Sequence, residues 1–156
     1  MSLLKHWFGL CWNIRGLNSK AKQLALANAI ELSGCAIICL QETKMENIDL
    51  SFIKSCCPKR FDDFAYIPSF GASGGIVIIW NSSLFRGLVM HCQPFAISMN
   101  FTSTQSAQSW NLINIYGPCT GELRDSFVEW IFELEILISS DHLKIKTSQV
   151  AMPWIC

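Results

Sequence analysis

The chain reads as a mixed α/β protein, and three observations lead there. An apolar strand, an amphipathic helix and a second apolar strand follow one another between Trp7 and Leu40. Several strand-like runs then come without helices between them, from Phe64 to Tyr116. An amphipathic helix closes the pattern, with Phe127, Trp130, Ile131, Leu134 and Ile138 at helical spacing from Glu122 to about Ile138. A strand-helix-strand unit followed by antiparallel-looking strands implies a mixed sheet with helices outside.

The elements take shape in order. Trp7 to Ile14 is apolar and aromatic, as a strand is. Gly16 and Asn18 punctuate it, and Asn18 or Ser19 caps a helix running to about Ser33. Leu24, Ala27 and Ile30 step by three and Leu26 to Ile30 by four, with Gly34 as the stop. Ala36 to Leu40 is continuously apolar, which suits a strand covered on both faces. A helical crossover joins parallel strands, and parallel strands end on one edge of the sheet. Asn13 and Glu42 are therefore expected on the same edge.

Asp49 to Cys56 suggests a short helix, Phe64 to Ile67 a strand, and Pro68 to Gly75 a turn region. Ile76 to Trp80 reads as a buried strand, Leu84 to Cys92 and Phe95 to Phe101 as two more, Thr102 to Ser109 as a loop, and Trp110 to Tyr116 as a strand. Ser126 and Glu129 fit a capping box in the last helix, unless the helix starts earlier.

Composition bounds the function. The chain has 156 residues, a length suited to one domain. Its 12 basic and 12 acidic residues cancel, without the basic excess usual for a strong nucleic-acid binder. No run approaches the roughly 18 to 20 apolar residues that span a membrane, and the start shows no signal-peptide pattern. An intracellular protein of nucleus or cytoplasm, not secreted and without membrane contact, is expected. The eight cysteines are then reduced thiols. Cys35 and Cys39 face a core, Cys56 and Cys57 are adjacent, and there is no Cys-x-x-Cys, so no structural zinc is expected.

Glu42 is the sharpest candidate. A carboxylate just past a buried strand suits a hard cation such as magnesium, which takes oxygen donors and few carboxylates. Asn13, across the edge, is a neutral donor and acceptor suited to orienting a phosphate or a water. Arg15, Lys20, Lys22 and Lys44 cluster in sequence near that edge. Lys54, Lys59 and Arg60 read as a surface patch, and His6 and His91 as packed or exposed side chains. From spacing alone, a solvated loop residue at Glu42 and a turn former at Asn13 are the better explanation.

Four segments in order, Trp12 to Asn18, Gln41 to Lys44, Ser73 to Ile76 and Asn114 to Pro118, resemble the endonuclease/exonuclease/phosphatase superfamily. They are most similar to the endonuclease domain of plant LINE-type non-LTR retrotransposons. The resemblance covers about Phe8 to Leu137. It implies a four-layer α/β sandwich with mixed sheets and outer helices, and metal-assisted hydrolysis of DNA phosphodiester bonds with Mg2+ or Mn2+. By the same resemblance Glu42 is the metal ligand, and Asn13 and Tyr116 are catalytic residues near the phosphate. Arg15 and Lys44 are expected phosphate contacts only from their place in the sequence near that edge, where a solvated helix start explains them as well.

The departures bear on activity. The family's Gly-Asp-Phe-Asn strand does not follow Leu137. Ser140-Asp141-His142 has the letters of the family's terminal Ser-Asp-His, but it comes too soon after Tyr116 and reads as a surface loop. Residues 1–138 are expected to be the N-terminal portion of such a domain in a truncated copy, with its C-terminal half missing, and 139–156 an unrelated or disordered tail. Such a chain would be inactive as a nuclease, a remnant or a binding module. It would be prone to self-association through exposed sheet.

Overall fold

The computed structural model describes residues 9–71, 73–117 and 121–140. Of these, the residues up to Tyr116 form one compact unit, and the others belong to a second. The start of the first predicted strand, His6, Asp141, His142 and the tail from 143 to 156 lie outside the described residues.

Strand β1 (Gly9–Asn13) leads into helix α1 (Lys20–Ser33) and strand β2 (Ile37–Gln41). Ser19 caps α1 from extended backbone, its hydroxyl accepting from the Lys22 amide at 3.3 Å, and Gly34 ends the helix in the left-handed region (φ 61). β1 and β2 pair in parallel as the crossover requires, with Asn13 opposite Gln41. The buried face of α1 is Leu26 and Ile30; Leu24, which also fits a helical stripe, is 64 % exposed. Helix α2 (Leu50–Cys56) follows, its Phe52 amide bonded to the Asp49 carboxylate at 2.7 Å.

Strands β3 (Asp63–Phe70) and β4 (Ser73–Trp80) form a longer hairpin than the sequence suggests. The Pro68–Gly75 stretch is not an open turn region. Ser69 pairs with Gly74 and Phe70 with Ser73, so both strands run through it. Gly74 and Gly75 continue the strand at positive φ (75 and 88), which side-chain-bearing residues rarely adopt. β4 is antiparallel to β2, giving a mixed sheet in the order β1-β2-β4-β3.

A second sheet is an antiparallel meander of β5 (Phe85–Gln93), β6 (Ala96–Ser103) and β7 (Ser109–Ile115). Alternation along the strands divides the core. Ile38, Leu40, Val77 and Ile79 join Leu26 and Ile30 of α1 and Ile53 and Cys56 of α2 in one cluster. Ile37, Cys39, Ile76, Ile78 and Trp80 turn the other way, onto Phe85, Ile97, Met99 and Phe101 of the second sheet. The first unit is thus helix on sheet on sheet. The expected mixed α/β architecture with two sheets and helices is observed.

Helix α3 (Glu122–Ser140) belongs to the second unit. It begins before Ser126, so Ser126 and Glu129 are interior positions and not a capping box. Serine and glutamate three apart occur equally within helices, and only the start of the helix distinguishes the two cases. Among the described residues no helix is long and apolar enough to cross a membrane.

Candidate functional site

The site grows from the carboxyl ends of β1 and β2. Beyond the last paired residues the two chains stay side by side. The amides of Ile14, Gly16 and Leu17 donate to the carbonyls of Gln41, Glu42 and Thr43 at 3.0, 2.7 and 2.8 Å. On the opposite flank, the amides of Thr43 and Lys44 donate to the carbonyls of Gly75 and Gly74, both at 3.0 Å. The 42–44 segment is held from both sides, with Thr43 fully buried between them.

Backbone strain collects here. Among the described residues, positive φ at a side-chain-bearing position occurs at Arg15 (52), Glu42 (56), Lys44 (55) and Ala107 (54), and three of these four lie on this edge. Such conformations persist where surrounding structure enforces them, and they concentrate at functional sites. Glu42 keeps 20 % of its side chain exposed, and its Oε1 lies 3.5 Å from Lys44 Nζ.

Asn13, the last residue of β1, is exposed at this edge, level with Gln41. Tyr116 is the first residue past β7. Its amide donates to the Phe95 carbonyl at 2.8 Å, and its ring packs against the inter-sheet core. Two residues earlier Asn114 reaches the first sheet: Gln41 Nε2 donates to its Oδ1, and its Nδ2 donates to the carbonyls of Leu40 and Val77, both at 3.2 Å. The end of β7 therefore lies over the end of β2, and Asn13, Glu42 and Tyr116 leave the two sheets toward one edge.

The basic residues separate. Arg15 is exposed on the loop and Lys44 stands beside Glu42. Lys22 turns inward, its ammonium donating to the carbonyls of Arg15 and, at 3.4 Å, Ile14. Lys20 starts α1 and is exposed. Arg60 pairs with Glu31 of α1 at 3.1 Å and lies 5.0 Å over the Phe61 ring, so it braces the helical face. His91 is exposed on β5, in the second sheet.

Cys11 went unnoticed in the sequence. It is exposed, two residues before Asn13 and opposite the buried Cys39. A hydrogen bond with Cys39 lowers the Cys11 thiol to about 7, against the opposing effect of partial burial. The Cys39 thiol is pushed well up by the same bond and by burial.

A model of the endonuclease/exonuclease/phosphatase family matches residues 10–142. The chain belongs to this family. Solved structures agree in fold. The endonuclease domain of TRAS1, a telomere-specific non-LTR retrotransposon, is 15 % identical with a TM-score of 0.58, over 86 % of this chain and 56 % of that one. The human Nocturnin catalytic domain is 13 % identical with a TM-score of 0.56, over 85 % and 57 %. The AP endonuclease LMAP of Leishmania major is 17 % identical with a TM-score of 0.51, over 85 % and 45 %. The chain thus spans about half the length of these family structures. No curated protein sequence matches it.

A divalent metal is the cofactor this family implies, and the donor set can be tested against it. Among the described residues no group of three or more His, Cys, Asp or Glu side chains could hold a metal ion. Glu42 offers one partly exposed carboxylate. That suits Mg2+ or Mn2+, which keep several waters and need only one or two carboxylates, and it does not suit a zinc site of nitrogen and sulfur ligands.

Proposed function

We propose that the chain carries part of a divalent-metal-dependent phosphodiesterase site of the DNA-nicking type, of plant LINE-like retrotransposon origin, working inside the cell. The observation that supports this most is the exit of Asn13, Glu42 and Tyr116 at one edge from two different sheets. Neither a solvated strand end nor a strand-terminal tyrosine requires that convergence.

Glu42 would hold Mg2+ or Mn2+, and the bound ion would neutralise charge on the phosphate oxygens. The Asn13 carboxamide donates a hydrogen bond to a phosphate oxygen while its carbonyl orients a water. The Tyr116 hydroxyl donates to a second phosphate oxygen. Lys44 and Arg15 add positive charge that draws in the DNA backbone. Lys44 also faces the Glu42 carboxylate, its Nζ 3.5 Å from Oε1, when no metal competes.

This set has a metal ligand and phosphate donors, but among the described residues no group of three or more His, Cys, Asp or Glu side chains gathers to complete it. Residues that act as a unit lose most of their effect when members are missing. The 156-residue chain is therefore a binding-competent half-site with little or no nicking of its own. The purified chain is expected to bind Mn2+ weakly, as read by electron paramagnetic resonance, and to lose that binding in Glu42→Gln. Supercoiled plasmid with Mg2+ is expected to stay intact. Mn2+ binding indifferent to Glu42→Gln would remove the metal reading; nicking abolished by Glu42→Ala would overturn the inactivity.

A further inference from the structure

Asn114 is 2 % exposed, and both strands it donates to lie in the opposite sheet. Carbonyl oxygens can only accept, so the carbonyls of Leu40 and Val77 fix which end of the amide faces them. The Asn114 oxygen must then face Gln41, and Gln41 must donate through its nitrogen. Both amides are oriented with no ambiguity, and both donors of Asn114 are used.

The location of this clamp matters more than its strength. Gln41 immediately precedes Glu42 and sits in register with Asn13, and its carbonyl accepts from Ile14 at 3.0 Å. Asn114 lies in β7, two residues before Tyr116. One hydrogen bond thus links the neighbours of all three site residues across the gap between sheets. Apolar packing between Ile37, Cys39, Ile76 and the second sheet is non-directional and tolerates sliding. A buried amide pair with fixed donors does not.

We propose that Gln41 and Asn114 are positioning residues that set the spacing of Glu42 and Asn13 against Tyr116. The inference rests on the metal-site reading of Glu42, and it concerns residues that touch neither substrate nor metal. Removing a group that orients a metal ligand typically weakens metal binding 10- to 100-fold.

The test uses Gln41→Met, in which a half-buried side chain of similar length loses its donor, alongside Asn114→Leu. Mn2+ affinity is measured by paramagnetic resonance, and amide hydrogen exchange is followed by NMR without metal. Gln41→Met is expected to weaken Mn2+ about 10-fold and to leave a Glu42→Gln background unchanged. It should speed exchange of the Gly16 and Thr43 amides, which bond to Glu42 and Gly75, while Ile97 and Phe101 in β6 keep their protection. Unchanged exchange at Gly16 and Thr43, or unchanged Mn2+ affinity where wild type binds through Glu42, overturns the proposal. So does equal acceleration at Ile97 and Phe101, which would mark a merely structural bond. If wild type binds no Mn2+ through Glu42, the metal reading fails and the exchange pattern alone decides this one.

Discussion

Replacing Gly75 by alanine separates two costs that usually arrive together, provided Gly34→Ala is measured beside it. Both glycines have positive φ, 88 at Gly75 and 61 at Gly34. A Cβ at Gly34 meets nothing within 4 Å. A Cβ at Gly75 would lie 2.3 Å from Thr43 Oγ1, 3.3 Å from the Lys44 amide nitrogen and 3.4 Å from Ser69 Cβ. Thr43 cannot retreat, because it is fully buried and its amide is bonded to the Gly75 carbonyl itself. Left-handed backbone costs alanine about 1–2 kcal/mol, and its smaller freedom in the unfolded chain returns about 0.4–1 kcal/mol. Gly34→Ala should therefore destabilise by about 0.5–1 kcal/mol. Gly75→Ala carries the same strain plus about 1–3 kcal/mol of overpacking, about 1.5–4 kcal/mol in all. Urea unfolding followed by tryptophan fluorescence reads both values. If the two variants agree to within about 0.5 kcal/mol, the packing of the hairpin against Thr43 is not as described.

Two further outcomes follow. Cys11, held at about 7 by its bond to Cys39, should react with iodoacetamide with a half-maximal rate near that pH. Below it the thiol is protonated and slow, and above it the thiolate reacts fully. Cys39→Ala should move the midpoint up toward the ordinary thiol range, and a wild-type midpoint already there refutes the pairing. Phe101, fully buried, stands edge-on to Trp80 at 5.3 Å and stacks on Trp110 at 6.1 Å. Phe101→Ala should cost about 3–5 kcal/mol in the same urea assay, and a loss below about 1 kcal/mol would mean that the sheets do not close over it.

Much of the frame was legible because it is governed by local rules. Apolar runs marked β1, β2 and the centre of β4, Ser19 and Gly34 bracketed α1, and the parallel crossover put Asn13 and Glu42 on one edge. What escaped was decided by tertiary context. The glycines of the β3–β4 hairpin look like turn residues, yet they serve a strand that passes tightly under Thr43. Left-handed backbone at Arg15, Glu42 and Lys44 has no signature in side chains that ordinarily avoid it. Lys22 belongs to the basic cluster near the edge, but those bends turn the carbonyls of Ile14 and Arg15 toward its ammonium. Leu24 fits a helical stripe as well as Leu26 does, and only the position of the sheet selects between them. Gln41 and Asn114 find each other across 73 positions, beyond any spacing rule.

That separation has a bearing on how the molecule comes together. β1, α1 and β2 close over a short stretch of chain, so Asn13 and Glu42 reach their common edge through local contacts. Tyr116 arrives only when the meander docks, and long-range closures form slowly. A chain on the ribosome that has emerged only as far as β2 would present an acidic edge without its opposing hydroxyl. Formation of the whole arrangement then becomes a late step in folding, and occupancy of the edge by Mn2+ would count the molecules in which the second sheet has come to rest.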